Sequence, residues 1–185
     1  ASHKSNQLRE RLAGLGREDE FACPALPHWP RDAMALLERE VSRVPTDQVT
    51  LVGSSLGGFY ATCLTEKFGM RSVLVNPAIT PHDGLRAYLG PQKNLYTGDE
   101  YELTEKHLVQ LAGLHVPEPA RMDSYLLLHT TGDELLDWRV AVDHYRGCRQ
   151  VIVQGSDHGF REFSDYIDIV FEFSSRPDRK TDARV

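Results

Sequence analysis

The chain has 185 residues, 41% hydrophobic and 26% charged, enough for one domain with a substantial buried core and no linker-like break. A formal charge of -6 and a pI near 5.7 argue against a nucleic-acid partner or an anionic membrane surface, both of which reward concentrated Lys and Arg. Cys23, Cys63 and Cys148 form neither a metal spacing nor a secreted disulfide framework, and no apolar run suits a membrane span, so a soluble, cytoplasmic, thiol-reduced chain is expected.

Residues 5–15 carry Leu8, Leu12 and Leu15 at helical spacing and close on Gly14-Leu15-Gly16, predicting an amphipathic helix with a glycine stop. Residues 20–25 predict a short edge strand closed by Pro24 and Pro27. Pro30-Arg31-Asp32 opens a second helix with Ala33, Leu36, Leu37 and Val41 on its apolar face, and Pro45 ends it. Residues 49–52 then predict a fully buried strand.

Directly after that strand stands Gly53-Ser54-Ser55-Leu56-Gly57, followed by helix formers. This spacing reads as a nucleophile elbow, a sharp strand-to-helix bend on which the residues two before and two after the serine must lack bulky side chains. Gly53 and Gly57 meet that demand. The alternative, a phosphate-binding loop, calls for GxxxxGK[ST] or GxGxxG, and Gly58, Phe59 and Tyr60 follow instead, with no lysine.

Residues 56–68 predict a helix whose Gly57-Gly58 pair permits close approach to a sheet, and residues 72–75 another buried strand. From 77 to 122 the pattern is broken by Pro77, Pro81, Pro91, Pro117 and Pro119, with only 105–114 helical; this stretch is either a small cap or an ordinary excursion between strands. Tyr88, Leu89, Leu95, Tyr96 and Tyr101 there are candidates for an acyl pocket or for its packing. Residues 125–131 predict a strand, 137–145 a helix, 150–153 the last strand and 161–173 a final amphipathic helix; 174–185 is charged and expected to be disordered. Strands alternating with helices imply right-handed crossovers and a mostly parallel sheet with helices on both faces, within one domain over 1–173.

A serine hydroxyl needs a base to take its proton and a carboxylate to orient that base. In this architecture the order is serine, acid, histidine. Asp133 follows the 125–131 strand in Gly132-Asp133-Glu134, and His158 follows the 150–153 strand in Gly155-Ser156-Asp157-His158-Gly159, so three strand ends deliver Ser55, Asp133 and His158. Asp137 is the rival acid, but it precedes Trp138 at a helix start, where an aspartate more often caps. Asp157 adjoins His158, and neighbours in an extended loop usually point apart. His129 lies within an apolar strand and reads as core; no histidine shares a metal-ligand spacing with another histidine or cysteine. The backbone N–H of Leu56, at a helix N-terminus, is the candidate oxyanion donor. Nothing in the set calls for a metal or an organic cofactor.

GSSLGGFYAT (53–62), VNPAITP (75–81), TGDELLDW (131–138) and GSDHGF (155–160), with Tyr88-Leu89-Gly90 and Tyr96-Thr97-Gly98, resemble the small bacterial α/β-hydrolase-fold esterases of the YqiA type. The resemblance runs from about Ser2 to Phe173. It implies a three-layer α/β-hydrolase fold and a cytosolic hydrolase of carboxylic esters with short acyl chains, in some members of acyl-coenzyme A thioesters. Ser55 is then nucleophile, Asp133 acid and His158 base. Such relatives open with a strand and a His-Gly-Phe turn that carries the second oxyanion donor, whereas this sequence opens at Ala1-Ser2-His3-Lys4, inside the loop that follows. The first strand is expected to be missing, and the native polypeptide longer by a strand and a turn. Two rivals remain open: a thioesterase or peptidase with the same triad, and a binding protein that keeps the scaffold without turnover. Substrate identity and oligomeric state are not legible.

Overall fold

The computed structural model describes residues 2–94 and 98–176. Helix α1 (His3–Gly14) starts on Ser2, whose hydroxyl accepts the Ser5 N–H. Helix α2 (Pro30–Val41) has proline in its first turn, where a missing N–H costs nothing. Strand β1 (Thr50–Ser55) runs straight into α3 (Leu56–Phe68), which stops on Gly69 at φ 78°. Strand β2 (Arg71–Pro77), helix α4 (Pro81–Gly84), strands β3 (Gly90–Lys93) and β4 (Glu100–Leu103), helix α5 (Glu105–Ala112), strand β5 (Tyr125–Thr130), helix α6 (Trp138–His144), strand β6 (Arg149–Val153) and helix α7 (Ile167–Ser174) follow.

The main sheet has the order β1-β2-β5-β6 and every pair is parallel. Successive side chains alternate between its faces. Val73, Val75, Leu126 and Leu128 pack with Leu8 of α1 and Ile167, Val170 and Phe173 of α7. Leu74, Tyr125 and Leu127 pack against Ala61 of α3 and Ala141 of α6 on the opposite face. Helices therefore cover both faces, as the strand–helix alternation predicts. On the second face α2, α3 and α5 share a further cluster through Ala33, Met34, Phe59, Leu64 and Leu111.

Five expectations need correction. Residues 20–25 form no strand: Glu18–Glu20 is a 3₁₀ turn and the chain then runs extended without a ladder, since Pro24 and Pro27 withhold donors. Strand β1 is not fully buried, because it is an edge of the described sheet and Val52 is 39% exposed. The 161–173 helix is split into a 3₁₀ turn at Phe163–Tyr166 and α7. Within 77–122 the chain forms the antiparallel β3–β4 hairpin and α5, which packs on α4 and α2. The tail expected to be disordered is helical to Ser174, and 177–185 lie outside the described residues, as do Leu95 and Tyr96. No helix among the described residues is long and apolar enough to cross a membrane.

Candidate active site

Ser55 ends β1 at φ 54° and ψ -121°, a left-handed backbone that costs a non-glycine residue strain. Two glycines make the bend possible. A Cβ on Gly53 would lie 2.3 Å from the Gly57 carbonyl oxygen, and one on Gly58 would lie 2.7 Å from Pro77 Cβ. Gly57, paired with Gly53 in the sequence reading, faces open space; Gly58 is the glycine that lets α3 press on β2. Parallel pairing slips by one residue here, so that Ser54 opposes Val75 and Ser55 opposes Pro77. The Ser55 carbonyl accepts the Ala78 N–H at 3.1 Å. Among the described residues the Ser55 hydroxyl makes no hydrogen bond, and Leu56 is the first residue of α3.

Asp133 sits beyond β5. Its Oδ1 accepts the N–H groups of Leu135 and Leu136, each at 2.9 Å, and its Oδ2 faces His158 Nδ1 at 2.8 Å. The carboxyl is fully buried and the imidazole 18% exposed. A carboxylate held by two amides has one oxygen left for the ring, which selects the tautomer with the proton on Nδ1 and leaves Nε2 an acceptor.

The two loops are joined along their length. Thr131 N–H donates to the Val153 carbonyl, Gly132 N–H to that of Gly155, and Gly155 N–H to Thr131 Oγ1. A Cβ on Gly132 would strike the Ser156 carbonyl at 2.3 Å, so glycine is required at this crossing. Beyond His158, Phe160 is fully buried beside Phe163 and Tyr166.

The rival carboxylates are otherwise engaged. Asp137 caps α6 by accepting the Arg139 N–H at 3.0 Å and pairs with the Arg139 guanidinium. Asp157 pairs with Arg161 at 2.5 Å. His129 is buried, with Nδ1 near the Thr130 carbonyl and Nε2 unpartnered, and burial holds its pKa below the usual histidine range.

Four residues at the site escaped sequence reasoning. Glu134 accepts the His158 backbone N–H at 3.0 Å. Lys4 reaches from α1 to the Gly159 carbonyl at 2.6 Å; burial lowers its pKa, and the carboxylates of Asp157 and Asp133 oppose that shift. Asn76 and Thr130 form a buried network beneath the His158 loop. Asn76 at the end of a strand and before Pro77 was the only local hint. Asp133 and His158 are thus brought into contact. Ser55 stands at the same end of the sheet, bonded to the 76–78 segment that also holds the His158 loop. Among the described residues no group of three or more His, Cys, Asp or Glu is arranged to hold a metal ion.

The fold is shared with solved structures of low sequence identity. A protein of Agrobacterium vitis S4, provisionally designated a hydrolase, superposes with TM-score 0.66 at 14% identity, covering 94% of this chain and 82% of its own. Est1E from Butyrivibrio proteoclasticus gives 0.60 at 14% identity, covering 95% and 83%. Mouse alpha/beta hydrolase domain-containing protein 10 gives 0.57 at 14% identity, covering 77% and 69%. The fold is that of the α/β-hydrolases. Within that class the chain belongs to the uncharacterised protein family UPF0227, which matches residues 1–175 and is the YqiA-type family its motifs resemble.

Proposed function

We propose that this protein is a serine hydrolase of carboxylic esters, working through an acyl-enzyme intermediate. Ser55 attacks the ester carbonyl while His158 Nε2 takes its proton and returns it to the leaving alcohol; water then attacks the acyl-enzyme with His158 again as base. Asp133 holds the ring and stabilises the imidazolium. Leu56 N–H, at the positive end of α3, donates to the oxyanion. The second donor is not assigned to a residue of this sequence.

The observation that carries the reading is the 2.8 Å contact between His158 Nδ1 and an Asp133 carboxylate whose other oxygen is fixed by two amides. A strained serine on a bend that two close glycine contacts permit supports it. The 77–122 excursion, with Tyr88 and Leu89 exposed, is the proposed cap and acyl wall. A neutral or small acyl substrate accords with the net charge of -6, and Est1E has been solved with ferulic acid bound. The same residues serve a thioester leaving group, and a cytoplasmic setting accords with three free cysteines.

Fluorophosphonate labelling together with p-nitrophenyl ester hydrolysis tests the reading. Both should be present in the parent protein and lost in Ser55→Ala, on the order of 10⁶ in turnover for a triad member. A parent chain that neither labels nor hydrolyses esters or thioesters is a binding scaffold instead.

A further inference from the structure

Asn76, in the VNPAITP motif, belongs to neither the proposed triad nor the oxyanion site, yet it is fully buried at φ 43°. Its side-chain amide lies within hydrogen-bond distance of three acceptors: Thr130 Oγ1 at 3.1 Å, the His158 carbonyl at 3.1 Å and the Asp157 carbonyl at 3.3 Å. Its Oδ1 accepts the Thr130 N–H at 2.9 Å, and the Thr130 hydroxyl donates to the Asp157 carbonyl at 3.0 Å. One side chain therefore ties the end of β2 to the end of β5 and to the backbone of the proposed base. The next two residues complete the link, since Pro77 opposes Ser55 and Ala78 N–H donates to the Ser55 carbonyl.

Few residues can fill this place. A left-handed backbone favours Gly, Asn and Asp. The two carbonyls of the histidine loop need a donor and the Thr130 amide needs an acceptor; Asp lacks the first and Gly lacks both. A buried network of this kind is rigid when satisfied, and leaving its carbonyls unpaired is costly.

We propose that Asn76 is a positioning residue: through the Asp157 and His158 carbonyls it sets the height and tilt of the His158 imidazole between Asp133 and Ser55. This rests on the reading of His158 as the base. Asn76 touches no reacting atom, and its effect passes entirely through the loop it holds.

Asn76→Gly keeps the backbone geometry and removes every amide contact. The expected result is a folded protein with kcat lowered about 100-fold, KM little changed and fluorophosphonate labelling slowed in step, as a displaced catalytic group would give. A folded variant with parental kcat overturns the proposal. Should Asn76→Gly fail to fold, near-isosteric Thr130→Val carries the test: it removes the hydroxyl link to Asp157, and a parental kcat with unchanged Nδ1–H exchange there is equally fatal. Solvent exchange of the His158 Nδ1–H proton, followed by NMR, needs no substrate. Faster exchange in Asn76→Gly supports the positioning role even if the parent turns over no ester, whereas unchanged exchange rejects it whatever the reaction.

Discussion

Asp133 divides its two carboxyl oxygens between the Leu135 and Leu136 amides and the His158 ring, whereas Asp137, four residues on, turns to the Arg139 amide at the start of α6. Two aspartates within one loop thus have different tasks, and substituting each alone separates them.

Asp133→Asn should keep the fold but present an amide that favours the wrong imidazole tautomer, lowering kcat by roughly 10⁴. Asp137→Asn, an equally good cap, should leave kcat near the parental value, and Asp137→Ala should cost about 1 kcal/mol of stability without touching the chemistry. Ester kinetics and urea melts of the three variants check this; a large loss of kcat in Asp137→Asn would reassign the acid.

At the bend, glycines separated by a few positions should respond oppositely. Gly53→Ala drives a methyl onto the Gly57 carbonyl and Gly58→Ala drives one onto Pro77, each costing about 1–3 kcal/mol or more of overpacking. Gly57→Ala meets no atom within 4 Å and lies in α3, so it should be neutral or stabilising by up to about 0.5–1 kcal/mol. Thermal melts of the three, alongside fluorophosphonate labelling, test the contrast.

Acid should weaken the fold before carboxylates titrate. Burial holds His107, His115, His129 and His144 below the usual histidine pKa of 6.5. In His107 burial is reinforced by His28, whose Nδ1 lies 3.0 Å from His107 Nε2, while the Thr104 backbone opposes the shift. Below pH 6.5 the unfolded chain takes up protons that the folded one refuses, so stability is complete above that value and falls as pH drops toward the lowered values. Each such group contributes at most about 1.4 kcal/mol per pH unit. The urea midpoint should therefore decline as pH falls from about 6.5 to 5.5; a flat midpoint would show that these rings accept protons in the folded state.

Much of the candidate site was legible because it is written in local chemistry. A glycine-flanked serine after a β-branched run, and Asp and His just past two further apolar runs, need no tertiary knowledge. Other features depend on what arrives from elsewhere. The steric demand at Gly58 exists only because Pro77 packs there, and Asn76 acquires meaning only once β5 and the His158 loop lie beside it. Residues 20–25 have strand-like composition but no ladder partner among the described residues, and the β3–β4 hairpin was hidden by Pro91 and its polar neighbours. The alternation of strands and helices was enough for the layers, since it follows from which faces must be covered.

Strand β6, which leads to His158, is an edge of the sheet with β5 as its one described neighbour. Partial opening at that margin would detach the imidazole while β1, β2 and β5 remained packed, since local release costs less than global unfolding. Reactivity toward an electrophilic probe should then fade ahead of bulk ellipticity on gentle heating, making the serine's own reagent a sensor of whether the outermost strand is seated.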